Sequence, residues 1–147
     1  MTERFETFTV LIAKISRNIK KIKNQEMAEY DLRSSHISCL YYLYSSDGLT
    51  ATELCERCEE DKATISRSLD HLEKNGYIEC ETQSDKRRYK SPLTLTKKGN
   101  DAGKKIADKI NCVLDEISTH LTEEERIAFY RSLSIISNEL ENIAVRI

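Results

Sequence analysis

The chain has 147 residues, of which 39% are hydrophobic and 33% charged, with 23 basic and 25 acidic side chains. That length suffices for a real core, and one proline and four glycines argue against both disorder and an all-β fold. No apolar run approaches the ~18 residues of a membrane span, and Met1-Thr2-Glu3-Arg4 lacks the basic and apolar regions of a secretory signal. A cytoplasmic, mostly helical protein is expected. The formal net charge is −2, but residues 84–98 hold Lys86, Arg87, Arg88, Lys90, Lys97 and Lys98 against Asp85 alone, a concentrated basic patch on a near-neutral chain.

At the N-terminus, Phe5, Phe8, Ile12, Ile15, Ile19 and Ile22 alternate at spacings of three and four, the stripe of a long amphipathic helix. Ser34 then caps a helix carrying Ile37, Leu40, Tyr41 and Tyr44, which stops at the Asp47-Gly48 turn. Thr50-x-x-Glu53 is a capping box opening a short helix through Cys58. The acidic turn Glu59-Glu60-Asp61 leads into a helix with Ile65, Leu69 and Leu72 inward, ended by Asn75-Gly76. Two short helices joined by a three-residue turn have the size of a helix-turn-helix.

After Gly76 the period changes to two. Ile78, Cys80 and Thr82 alternate with Glu79 and Glu81 as in a half-buried strand, residues 83–88 form a charged turn, and residues 89–95 form a second strand. Pro92 puts that strand at an edge, since proline cannot donate to a ladder. Between Gly99 and His120, Ala102, Ile106, Ile110, Val113 and Ile117 mark another helix. Thr122-x-x-Glu125 then caps a last one, striped by Phe129, Leu133, Ile136, Leu140, Ile143 and Ile147. The terminal stripes pack either within one monomer or across a homodimer, and long narrow seams favour the second. The expected fold is mainly α with a small β-hairpin wing: a winged helix-turn-helix lobe over residues 34–98, with helical dimerisation regions over residues 1–33 and 99–147.

This arrangement suits double-stranded DNA. A helix entering the major groove needs short polar residues on its leading turn and an arginine able to form bidentate bonds with guanine. Thr64, Ser66 and Arg67 meet that need, with Lys62 placed for phosphate. Taken alone, the same helix face is also what an ordinary solvated helix presents. The hairpin tip adds Asp85, Lys86, Arg87 and Arg88, cations on a ribbon that fits the electronegative minor groove, with Asp85 positioned to hold Arg87 extended. Lys90 joins Lys62, Lys86 and Arg88 as a phosphate contact, so binding should weaken with salt.

These residues resemble the MarR (multiple antibiotic resistance regulator) family of winged-helix regulators. The wing signature is Asp85, Arg87, Leu95, Thr96 and Gly99, and the recognition-helix pattern is Thr64, Ser66, Arg67, Leu72, Glu73 and Gly76. The resemblance spans essentially the whole chain. It implies a triangular homodimer with interlocked terminal helices, bound to a palindromic operator. It implies base contacts from Ser66 and Arg67, a minor-groove contact from Arg87 supported by Asp85, and phosphate near the helix starts at Ser34 and Thr50. It further implies a repressor released by a small aromatic ligand, a metal or thiol oxidation. Zinc-sensing members use a His-rich cluster, whereas His36, His71 and His120 are far apart in this sequence; peroxide-sensing members use a first-helix cysteine, and residues 1–25 contain none.

Five cysteines in such a chain are read as free thiols. Cys55-x-x-Cys58 is read as small core or boundary residues; the alternatives are a thiol- or metal-responsive switch, a small thiol or metal enzyme, or a protein-interaction module. No second cysteine pair completes a zinc set and no general base accompanies a nucleophile, so neither metal, cofactor nor enzymatic activity is expected. Cys39 and Cys112 are read as buried packing residues. Tyr30, Tyr41, Tyr42 and Tyr44 cluster near the lobe junction, either as core with hydroxyls at the rim or, for Tyr30, Tyr41 and Tyr44, as the lining of a small aromatic ligand's pocket.

Overall fold

The computed structural model describes residues 2–58, 60–79 and 91–147. In chain order these form α1 (Thr2–Glu26), a 3-10 turn (Ala28–Tyr30), α2 (Ser34–Ser45), α3 (Ala51–Cys58), α4 (Lys62–Lys74), β1 (Ile78–Glu79), β2 (Thr94–Leu95), α5 (Lys97–Ser118) and α6 (Glu123–Arg146). The fold is thus mainly α with a small two-stranded antiparallel sheet, in the winged-helix order. Two compact units are distinguished, residues 1–107 and 108–147.

The core of the first unit is built by α2, α3 and α4. Ile37, Cys39, Leu40 and Leu43 of α2, Ala51 and Leu54 of α3, and Ile65, Leu69 and Leu72 of α4 are all buried. Each fully buried aliphatic of this size stabilises by about 1.5–3 kcal/mol. Met27 and Leu32 close the core from the connection after α1, and Tyr77, Ile78 and Leu93 close it from the hairpin. On α2 the inner positions belong to Leu40 and Leu43, whereas Tyr41 is half-buried and Tyr44 is exposed at the edge. The reason lies on α5. Gly103 approaches Tyr44 so closely that a Cβ there would lie 2.6 Å from the tyrosine Cβ, so the Tyr44 ring lies along α5 and Leu43 turns inward.

Helix boundaries follow local chemistry. The Thr50–Glu53 box is formed in both directions: Glu53 N–H donates to Thr50 Oγ1 and Thr50 N–H to Glu53 Oε1, each at 3.2 Å. Thr122 and Glu125 repeat it at the start of α6, at 3.0 and 3.1 Å. Ser34 is not a cap. It is the first residue of α2, Arg33 occupies the cap position, and the Ser34 N–H donates to Asn24 Oδ1 of α1 at 2.7 Å. Helix α4 ends with Tyr77 N–H donating to Leu72 O and Gly76 N–H to Glu73 O, with Gly76 at φ +79°.

In the hairpin, Ile78 pairs with Leu95 and Glu79 with Thr94. The second strand is shorter than the expected 89–95 within the described residues: it begins at Thr94. Pro92 has no N–H to give, and the Leu93 N–H donates instead to Leu49 O at 2.9 Å, tying the chain to the turn before α3. Cys80, Thr82 and the wing tip at 83–88 lie outside the described residues.

Candidate nucleic-acid interface

Helix α4 divides cleanly into two faces. Ile65, Ser68, Leu69 and Leu72 are buried, while Lys62, Arg67 and Asp70 are exposed and Thr64 and Ser66 are half-exposed. Asp61 caps the helix, its carboxylate accepting from Thr64 N–H at 2.6 Å. That hydrogen bond holds the Asp61 carboxyl below its usual range, with Arg67 adding a smaller effect. Arg67 Nη2 donates to Thr64 Oγ1 at 3.3 Å, so the leading turn presents an ordered threonine–arginine pair. Its remaining guanidinium donors are available to a base edge or a phosphate.

The helix is anchored from behind by a feature not foreseen from sequence. His71 of α4 stacks on His36 of α2 with ring centroids 4.2 Å apart and planes 10° apart. The expectation that the histidines are far apart is therefore corrected for this pair: 35 positions of sequence separation vanish because α2 and α4 pack side by side. His36 Nδ1 accepts the Arg33 N–H at 2.9 Å, and His71 Nε2 lies 3.1 Å from the Asp31 carbonyl. Asp31 adopts a left-handed conformation at φ 57°, tolerable for aspartate, which brings its carbonyl to His71. Burial, reinforced by His71, holds His36 below its ordinary pKa, consistent with a neutral ring accepting at Nδ1. No group of three or more His, Cys, Asp or Glu able to hold a metal exists among the described residues.

Ser34 and Thr64 meet at one cleft of about 420 Å³, beside Lys20, Arg33 and Glu60. Lys20 and Arg33 were not singled out from the sequence. The signals were there, a lysine-rich end to α1 and an arginine next to Ser34, but only the fold places both beside α4. Thr50 lies at the start of α3, occupied by its capping box. Asp85, Lys86, Arg87, Arg88 and Lys90 lie outside the described residues.

The Leu95-Thr96-x-x-Gly99 segment is a structural junction. Thr96 Oγ1 donates to Gly76 O at 2.6 Å and accepts from Gly99 N–H at 3.1 Å, capping α5 while fastening it to the end of α4. A Cβ at Gly99 would collide with the Tyr77 carbonyl oxygen, so only glycine permits this approach. Lys98 adds a hydrogen bond to Asn75 O at 2.7 Å and lies 4.4 Å over the Tyr77 ring.

The tyrosines separate. Tyr30 accepts a hydrogen bond from Lys105 Nζ at 2.8 Å, and with Tyr77, Lys97, Lys98 and Asp101 it lines a cleft of about 320 Å³. Tyr41 meets Tyr42 edge-on at 5.3 Å, and neither Tyr41 nor Tyr44 lines that cleft.

A helix-turn-helix joined to an antiparallel hairpin, with long helices before and after, defines a winged-helix protein. A family model described as the MarR family matches residues 30–88. The chain is similar to the HTH-type transcriptional regulator YwoH of Bacillus subtilis, with 27% identity over 114 residues that cover 78% of this chain and 82% of that protein. Among solved structures, a MarR protein from Peptoclostridium difficile is 25% identical with a TM-score of 0.80, covering 92% of this chain and 88% of its own. The Staphylococcus aureus MepR–DNA complex shares the fold, with a TM-score of 0.79 at 23% identity over 92% of this chain and 97% of that one. Residues 30–88 thus match the MarR family, and the chain as a whole is similar to HTH-type transcriptional regulators.

Proposed function

We propose that this protein is a homodimeric, ligand-responsive repressor that reads a palindromic operator through α4 and the wing. The observation that carries the reading is the exposed face of α4, where a capped first turn presents Thr64, Ser66 and an Arg67 already ordered by Thr64. In a MarR-family lobe, over residues 34–98, that face is the one offered to a major groove. Ser66 and Arg67 read base edges. Lys62 and the helix starts near Ser34 and Thr50 meet phosphates, joined by Lys20 and Arg33 at the shared cleft. Asp85 to Arg88 and Lys90 serve the wing, with Arg87 in the minor groove. Similarity to transcription regulators speaks against the thiol-enzyme alternative.

Two further observations support the dimer. In the single chain, Ile12, Ile15 and Ile19 of α1 are 45–50% exposed, and Leu133, Ile136, Leu140 and Ile143 of α6 are 37–50% exposed. Such continuous apolar stripes are interaction surfaces in a folded protein. They support a dimerisation role for residues 1–33 and 99–147, and a two-fold dimer matches half-sites about 34–36 Å apart. The effector is a small aromatic anion: the cleft at Tyr30 offers the Tyr77 ring together with Lys98 and Lys105. A ligand that alters lobe separation displaces both recognition helices at once. No helix among the described residues is long and apolar enough to cross a membrane, and the operator reading places the protein with the chromosome in the cytoplasm.

The deciding experiment titrates salt in a binding assay against the DNA upstream of the protein's own gene, with a scrambled duplex as control. Two chains per specific duplex, with affinity falling steeply with salt, is the expected result. Equal affinity for both duplexes overturns the operator reading.

A further inference from the structure

Helices α2 and α4 are joined by two half-buried histidines whose protons are fixed by their partners. A backbone N–H only donates, so the His36 Nδ1 that lies 2.9 Å from the Arg33 nitrogen is an unprotonated acceptor. A carbonyl only accepts, so the His71 Nε2 that lies 3.1 Å from Asp31 O carries a hydrogen. The two rings stack with centroids 4.2 Å apart. His36 is also the residue of α2 whose side chain completes the capping box with Arg33. One imidazole thus caps α2 and supports α4, one turn beyond Arg67.

A single added proton undoes both tasks. On His36 Nδ1 it sets a donor against the Arg33 N–H, which removes the acceptor that caps α2. It also lays a cation against the His71 ring. The groups that act on the His36 charge are His71 of α4 and, on the connection after α1, Asp31 and Arg33; of these only Asp31 favours the cation. From α1, Lys20 lines the cleft with Ser34 and Ser35 and Lys23 donates to Ser38, two more cations beside α2. Burial is the largest influence and also disfavours the cation, so the neutral stack is lost only as pH falls through a folded-state value below the ordinary histidine one.

We propose that the His36–His71 stack is an acid-released latch between α2 and α4: proton uptake at His36 frees the start of α2, separates it from His71 and lowers the affinity of the lobe for specific DNA. The route is short. Arg33, Ser34 and Thr64 line one cleft, so a loosened first turn of α2 shifts the two edges of that cleft against each other. The sign separates this from charge alone: added positive charge strengthens binding to a polyanion in acid, whereas an opened latch weakens it. The coupling to DNA rests on the operator reading above; the titration of the stack does not.

The test follows the full-length protein from pH 7.5 to pH 5. In the free protein, NMR records the histidine C2–H signals and the Arg33 amide, the His36 signal being the one lost in His36→Gln. His36 is expected to titrate below the ordinary histidine value, with the Arg33 amide shifting at the same midpoint, and His71→Gln should raise that midpoint. In the binding assay, affinity for the operator duplex relative to the scrambled one should fall by roughly tenfold, the change one coupled proton allows per pH unit, while helical circular dichroism stays constant. His36→Gln, whose amide oxygen can still accept the Arg33 N–H, should bind as tightly at pH 5 as at pH 7.5. An Arg33 amide that ignores the His36 titration, an affinity that is constant or rises in acid, helicity lost ahead of affinity, or an equal fall in His36→Gln each overturns the latch. No specific binding at pH 7.5 counts against the operator reading alone, and the NMR titration then decides the latch by itself.

Discussion

Helices α4 and α6 are both amphipathic, yet they meet opposite fates within one chain. On α4 the residues Ile65, Leu69 and Leu72 are completely buried, whereas α6 buries none of its residues and leaves Phe129 48% and Leu140 50% exposed. Helix α1 behaves like α6 along Ile12, Ile15 and Ile19. Equal patterning with unequal burial separates a lobe that buries its apolar face from helices whose apolar stripes stay exposed. The lobe is then expected to answer to core substitutions, and the terminal helices to the concentration of a second copy.

The sharpest way to break this contrast is to charge the stripes. Ile12→Asp combined with Ile143→Asp should raise the dimer dissociation constant by at least two orders of magnitude, since a buried unpaired carboxylate costs several kcal/mol. Sedimentation would then show monomers with an intact lobe, and operator affinity would fall with dimerisation. A mass unchanged from the parent would refute the proposed role of the stripes. Within the lobe, Leu69→Ala should cost about 2–5 kcal/mol in urea unfolding without altering subunit association in the folded protein.

Gly99→Ala tests the junction between hairpin and α5. Its methyl group has no room beside the Tyr77 carbonyl, so a loss of about 1–3 kcal/mol is expected from overpacking, read as a lower melting temperature. Arg67→Ala should leave melting unchanged and weaken operator binding by roughly 1–3 kcal/mol, the range of a bidentate base contact. Equal affinity for the operator would remove Arg67 from the interface.

The smallest expected effect is on pH dependence. His36 has a folded-state pKa below its ordinary value, because burial and His71 disfavour its charged form. The unfolded chain therefore binds the proton more readily, and stability rises with pH across the titration. Its contribution is complete above the ordinary histidine pKa and is lost as pH falls through the folded value. Melting curves from pH 7.5 to pH 5 should show this decline, and His36→Gln should flatten it. An unflattened profile would assign the acid sensitivity to other groups.

Much of the fold was legible because it depends on neighbours in sequence. The Thr50 and Thr122 capping boxes, the Gly76 helix stop and the inward stripe of α4 act within four or five residues, and each appears where its pattern implied. The lobe's end was less legible: the short second strand follows from Leu93 turning its N–H to the distant Leu49. Ser34 misled because a serine before an apolar run satisfies the cap rule, but Asn24, ten residues upstream, takes its N–H. Leu43 displaced Tyr44 from the core for a similar reason, since Gly103 lies far along the chain.

The candidate site divides along the same line. Thr64, Ser66 and Arg67 share a face by helical period alone, so one helix of sequence places them. Lys20 and Arg33 at the Ser34 cleft and the His36–His71 stack each join separate elements. Composition, helical period and capping chemistry thus determined a helical winged-helix chain with a polar face on α4, because those effects are local and additive. Which histidines stack and which stripes remain uncovered were decided only by tertiary packing, because proximity between residues far apart in the chain is a property of how helices dock.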